Sequence, residues 1–104
     1  MPQERARYVI QYTPNRASLL ETMTENEGKA IGAHFQYLTG LLKSGSLIFA
    51  GRRVDAAFGL AVFEEYSDEA ARAVANADPA VQAGVFSATV GRFEFALAAD
   101  QKLL

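Results

Sequence analysis

The chain carries one histidine, His34, inside the run GAHFQYLTGLLKSG at residues 32 to 45. Imidazole is the side chain whose unperturbed pKa lets it give and take protons near neutrality, so a lone ring on a helical, otherwise apolar stretch is a candidate general acid or base. The same position also suits a partly buried ring that hydrogen-bonds a backbone carbonyl or Tyr37 and does no chemistry. Tyr8, Tyr12, Tyr37 and Tyr66 are candidate pocket walls or phenol donors, although aromatic side chains on strands commonly serve the core. Asp78 precedes Pro79, a pair that suits a helix start with the carboxylate as cap and the proline as first helical residue.

Residue types and spacing argue against other chemistries. Without cysteine there is no disulfide framework, thiolate metal site or cysteine nucleophile, and one histidine leaves only carboxylates, at no metal-site spacing. Neither a metal nor a cofactor is expected: the glycines punctuate strands and helix ends and form no phosphate-cradling loop. Glu64 and Glu65 are adjacent on a strand and so point to opposite faces, which rules out a paired-carboxylate site. Ser44 and Ser46 flank Gly45 and suit a turn better than a nucleophile. The net charge of -2 and scattered arginines give no basic field for nucleic acid. No run is long and apolar enough for a membrane span or a signal peptide, so a cytoplasmic protein is expected.

The elements that must position these residues follow from the pattern of the 104-residue chain, a length suited to one domain over residues 1–104. RYVIQY at 7 to 12 is a strand bounded by Thr13 and Pro14. Ser18 with Glu21 and Thr24 with Glu27 both have capping-box spacing. A helix is expected over residues 27 to 43, with Ile31, Phe35, Leu38, Leu41 and Leu42 as its buried stripe, His34 at the stripe's edge, and Gly45 beyond its end. Residues 46 to 53 and 58 to 66 make a hairpin. Ser67 caps a second helix that stops near Asp78, PAVQAG adds a short turn of helix, and residues 87 to 97 form the last strand. AADQKLL is a tail or a partner contact.

The order strand, helix, strand, strand, helix, strand predicts an α+β, ferredoxin-like βαββαβ sandwich, with helices on one face of a four-stranded antiparallel sheet. The strands read as apolar on both sides, Leu47 and Phe49 alternating with Ile48 and Ala50, and Leu60 and Val62 with Ala61 and Phe63. A second copy packed on the open face would cover that surface, so a homodimer or higher oligomer is expected.

The runs AHFQYLTGLLKSGSLIFAG and FGLAVFEEYSDEAARAVANADPAVQAGVFSATVGRFEF resemble the YCII-related domain family of the dimeric α/β-barrel superfamily, over roughly residues 30 to 96. The resemblance rests on the histidine opening an aromatic and aliphatic helix, Ala50-Gly51, the SDEAA helix start and DPAVQAGVF. It implies a ferredoxin-like dimer and an active-site pair, His34 and Asp78; that role is compatible with a helix cap at Asp78, since one carboxylate oxygen can cap while the other orients an imidazole. Many relatives have a proline after the AG where this chain has Arg52 and Arg53, and Arg92 stands where a proline often precedes the aromatic residue. Segment 13 to 26 has no clear family motif.

The implied function is cofactor-independent proton transfer on a small organic molecule, isomerase-, lyase- or hydrolase-like. His34 exchanges the proton, Asp78 steadies it, and Tyr37, Tyr8 and Arg52 are the candidate substrate contacts, Arg52 for an anionic group. The competing reading is a non-catalytic module that binds a small ligand or builds a dimer.

Overall fold

The computed structural model describes residues 4–99. Most of the expected tail, AADQKLL, lies outside them. Element order is β1 (Ala6–Pro14), α1 (Glu25–Lys43), β2 (Leu47–Arg52), β3 (Gly59–Glu65), α2 (Asp68–Asn76), α3 (Pro79–Gln82) and β4 (Phe86–Arg92). The strands pair antiparallel in the order β2-β3-β1-β4, which is the ferredoxin-like arrangement.

The helices cover one sheet face. Tyr8, Ile10 and Tyr12 of β1, Ala61 and Phe63 of β3, and Leu47 of β2 form the core with Leu38 of α1 and with Ala71 and Ala75 of α2. The odd-even alternation on β1 thus assigns the three residues at 8, 10 and 12 to the inner face, as a two-residue period requires.

On α1 the buried arc differs from the expected stripe. Phe35 is 67% exposed and Leu42 55% exposed. At about 100° per residue, Ile31, Leu38 and Leu41 lie around an arc centred near His34, while Phe35 and Leu42 fall at its edge. The histidine therefore faces the protein interior from the middle of the helix's inner surface.

A β-bulge separates Leu47 from Phe49, opposite Phe63 and Val62 respectively. The extra residue flips the alternation, leaving Leu47 on the inner face and sending Phe49 to the outer one. The outer face is apolar on its β2–β3 half, with Phe49, Leu60 and Val62. It turns polar toward β4, with Gln11, Ser87 and Thr89. It is half of the two-sided apolar surface expected from the strands alone. β4 ends at Arg92 and is shorter than expected: after the Phe93 amide donates to the Arg7 carbonyl, Phe93 and Phe95 pack edge to face and the Arg7 guanidinium lies over the Phe95 ring.

The capping box that starts α1 is the second of the two candidates. Thr24 accepts from the Glu27 amide and Glu27 accepts from the Thr24 amide. Ser18 instead adopts a left-handed backbone and its carbonyl takes the amides of Glu21 and Thr22 in a turn. Arg16 clamps this segment to the helix with two nitrogens on the Glu27 carboxylate, at 2.6 and 2.9 Å, and further bonds to Thr22. Leu19 is thereby buried against Ala30, Ile31, Ala80 and Phe86.

The Arg16 hydrogen bonds, followed by that from the Thr24 backbone, pull the Glu27 carboxyl from 4.5 down to about 2. A carboxyl depressed by folding stabilises the protein fully above its unfolded value, and that contribution fades as pH falls through the folded one. Glu27→Gln keeps capping-box reach but loses the charge. Its thermal stability is expected to fall at pH 7 and to converge on the parent's between pH 4.5 and about 2. Melting curves that stay parallel through that window would show that the clamp contributes no linked stability.

Candidate active site

Three elements and one helix cap meet at the end of β1. Tyr12 is the last buried residue of that strand's inner row, His34 projects from the centre of the α1 face, and Phe86 opens β4 opposite Pro14. α1 packs directly on α3, whose N-cap is Asp78. The chain after α2 is Asp-Pro because the cap must be extended while proline is pre-set for the first helical position.

Asp78 is fully buried, and its two oxygens are used differently. Oδ1 accepts the Ala80 amide at 2.9 Å. Oδ2 accepts the Tyr12 hydroxyl at 3.0 Å and lies 2.6 Å from His34 Nδ1. Both oxygens of Asp78 act as acceptors, so the hydrogen in the short contact is assigned to Nδ1. The other ring nitrogen, Nε2, then carries a bare lone pair in the neutral ring. Among the described residues Nε2 has no protein partner, while no sealed side-chain nitrogen or oxygen is left unpaired. Nε2 is therefore at the surface, consistent with a His34 side chain 15% exposed.

The imidazole plane is held by two rings. Tyr12 stands edge-on at 4.9 Å and 83°, Phe86 at 5.3 Å and 79°. Burial first, and the Asp78 charge second, push the Tyr12 phenol far above its ordinary range, so it remains a donor. Tyr37, nearly one turn beyond His34, gives its hydroxyl to the Val74 carbonyl at 2.7 Å, which ties α1 to α2; burial and the Asp78 charge raise it as well.

The structure brings His34 and Asp78 together and sets Tyr37 beside them. Tyr8 lies two inner positions along β1 from Tyr12, with its hydroxyl on Asp68 at 2.7 Å and the Arg92 guanidinium over its ring. Arg52 shares a cross-strand row with Tyr12, the two separated by Gly59, but its guanidinium turns onto the carbonyls of Arg53 and Val54. Two surface concavities, of about 380 and 330 Å³, lie along segment 13 to 21 with the hairpin turn and on the outer face beside Phe49 and Leu60; His34 lines neither. Among the described residues no group of histidine and acidic side chains could hold a metal, and no helix is long and apolar enough to cross a membrane.

Sequence reasoning left Tyr12 as one tyrosine among four and passed over Phe86. The parity of Tyr12 with Tyr8 and Ile10 places it on the inner face. Its meeting with the α3 cap depends on how α1 packs on α3, which no local pattern encodes.

An α+β sandwich with an imidazole held by a buried carboxylate is the class that this fold and site define. The YCII-related domain model matches residues 6–94, and the chain belongs to that family. Among solved structures it is similar to 5-chloro-2-hydroxyhydroquinone dehydrochlorinase (TftG) from Burkholderia phenoliruptrix AC1100, in complex with 2,5-dihydroxybenzoquinone. The TM-score is 0.64 at 20% sequence identity, covering 84% of this chain and 93% of that one. No curated protein matches the sequence.

Removing the carboxylate by Asp78→Ala strands three donors, from Ala80, Tyr12 and His34, at a cost of about 3 kcal/mol or more. Asp78→Asn is expected to fold, since asparagine also caps, but its amide N–H turned toward the ring would require Nδ1 to accept. The neutral imidazole should then carry its hydrogen on Nε2. Nitrogen-15 NMR of the single histidine reads this directly, and a ring still protonated at Nδ1 in Asp78→Asn would show that the carboxylate does not select the tautomer.

Proposed function

We propose that the protein is a small-molecule enzyme whose reaction turns on proton transfer at His34 Nε2. One observation carries this reading: the ring's inner nitrogen is tied at 2.6 Å to a fully buried carboxylate, while its outer nitrogen has no partner among the described residues. A purely structural histidine has no need of that asymmetry. Nε2 takes a proton from the substrate, Asp78 stabilises the imidazolium that forms, and the ring returns the proton to the product or leaving group. This chemistry draws on the pair alone and calls for no cofactor.

The substrate class is a small hydroxylated or carbonyl-containing organic molecule, the reaction an isomerisation, elimination or hydrolysis. The similarity to TftG supports elimination, because a dehydrochlorinase removes a proton together with chloride. Tyr37 is a wall of the site. We assign Arg52 to an anionic group of the substrate: Gly59 leaves the row between it and Tyr12 without a side chain, and an exposed guanidinium held among the described residues by two turn carbonyls can be redirected.

Chloride release from 5-chloro-2-hydroxyhydroquinone, followed by a panel of related quinols and enolisable ketones, tests the reading. His34→Gln should lower turnover by about 10²- to 10⁴-fold, and the double variant with Asp78→Asn should be little worse, since the two act as one unit. Unaltered turnover in His34→Gln would end the catalytic reading. Binding of 2,5-dihydroxybenzoquinone with no turnover of any member of the panel would instead favour the non-catalytic binding module.

We further propose that the apolar β2–β3 half of the outer face packs on the same half of a second copy. Phe49 and Leu60 lie there beside Phe58, and a two-fold axis would match apolar with apolar while leaving the Gln11, Ser87 and Thr89 side in water. Light scattering at micromolar concentration is expected to return twice the 11.3 kDa chain mass. Leu60→Glu should yield monomer or aggregate, because an unpaired charge is costly to desolvate. A parent protein that is monodisperse at the single-chain mass refutes the dimer.

A further inference from the structure

Two donors end on a single oxygen of Asp78. The Tyr12 hydroxyl and His34 Nδ1 both bind Oδ2, at 3.0 and 2.6 Å, while Oδ1 is occupied by the Ala80 amide. We infer that Tyr12 is a positioning residue that sets the proton affinity of His34 through this shared oxygen. The consequence for rate rests on the proton-transfer reading above; the effect on the ring stands without any substrate.

Each hydrogen bond donated to a carboxylate spreads its negative charge and weakens its pull on a neighbouring cation. With Tyr12 on Oδ2, the carboxylate favours the imidazolium less than it would alone, so the ring gives up its proton more readily. The position of the phenol makes this a fixed setting. Its backbone is locked into the centre of the sheet, between β3 and β4, and its ring edge lies against the imidazole at 4.9 Å, so the hydroxyl cannot swing away without displacing His34. Because burial and the Asp78 charge both resist its ionisation, it donates across the whole range in which a histidine titrates. Around the ring, β1 contributes Tyr12, the α2–α3 corner contributes Asp78, and β4 contributes the uncharged Phe86. On α1 itself the titratable neighbour is Tyr37, whose hydroxyl is committed to the Val74 carbonyl.

With one histidine in the chain, its ring signals in an NMR titration have no competitor. Tyr12→Phe keeps the aromatic edge against the imidazole and removes only the O–H. The midpoint of the ring's titration is expected to move to higher pH by about 0.3 to 1 unit, a fraction of what a hydrogen bond to a charged group is worth. The pH profile of kcat/KM should move by the same amount. Replacing all tyrosines biosynthetically with 3-fluorotyrosine makes the phenol a stronger donor and should move the midpoint the other way, a shift that disappears in the Tyr12→Phe background. A merely structural tyrosine would lower the melting temperature and leave both midpoints in place, which overturns the proposal, as does a downward shift in Tyr12→Phe. If Tyr12→Phe fails to fold, the nearly isosteric fluorotyrosine protein decides alone, an unmoved midpoint refuting the inference. A ring midpoint that moves as expected while the kcat/KM profile stays fixed upholds Tyr12 in this role and removes His34 as the proton carrier.

Discussion

A fully buried carboxylate is the constraint on which this end of the molecule depends. Taking an ionised aspartate out of water costs several kcal/mol unless donors replace the lost hydration. The three donors to Asp78 come from three different places in the fold: the first turn of α3, the inner row of β1 and the central face of α1. Satisfying one side chain therefore fixes where a strand end, a long helix and a short helix lie relative to one another. The His34 ring, clasped between Tyr12 and Phe86, inherits its orientation from that requirement.

The supports behind the pair extend outward in layers. Leu19 packs against Ile31, one turn before His34, against Ala80, whose amide binds Asp78, and against Phe86, which flanks the ring. Leu19 is held in place by the Arg16 clamp on Glu27, and Asn15 adds bonds to Ser87 and to the Gly84 carbonyl. A segment with no helix or strand of its own is thus tied at both ends to the elements that form the site. That makes it a wall with a defined position.

The sandwich and its topology were legible because each signal is local. Thr24 with Glu27 marks a helix start through two reciprocal bonds within one turn, Ser67 caps α2 through a single bond from the Ala70 amide, and the alternation of Tyr8, Ile10 and Tyr12 declares the inner face of β1. The errors arose where a longer-range contact decides. Phe35 and Leu42 belong to an apolar stripe by spacing, yet the rotation of α1 is set by packing on α3 and β2, which turns the polar His34 inward and leaves those two outside. One inserted residue after Leu47 reverses the facing of the rest of β2, and strict alternation cannot foresee it. His34 and Asp78 were legible as a pair through family resemblance alone; 44 residues separate them, and only the tertiary contact of α1 with α3 joins them.

Magnitudes distinguish the two roles open to Asp78. An aspartate N-cap stabilises a helix by about 1 kcal/mol, and N-caps do this while exposed to water. Here the helix is four residues long and the capping carboxylate is completely buried. A gain of that size on so short a helix does not offset the several kcal/mol of desolvation. Capping by Oδ1 accounts for the aspartate's place in the chain, but not for its burial. Oδ2 supplies the difference: a short bond to an imidazole and a second from a phenol, both at the one point where a histidine has its inner nitrogen bound and its outer nitrogen open. The structural cap and the polarised ring are therefore two uses of one carboxylate, divided oxygen by oxygen.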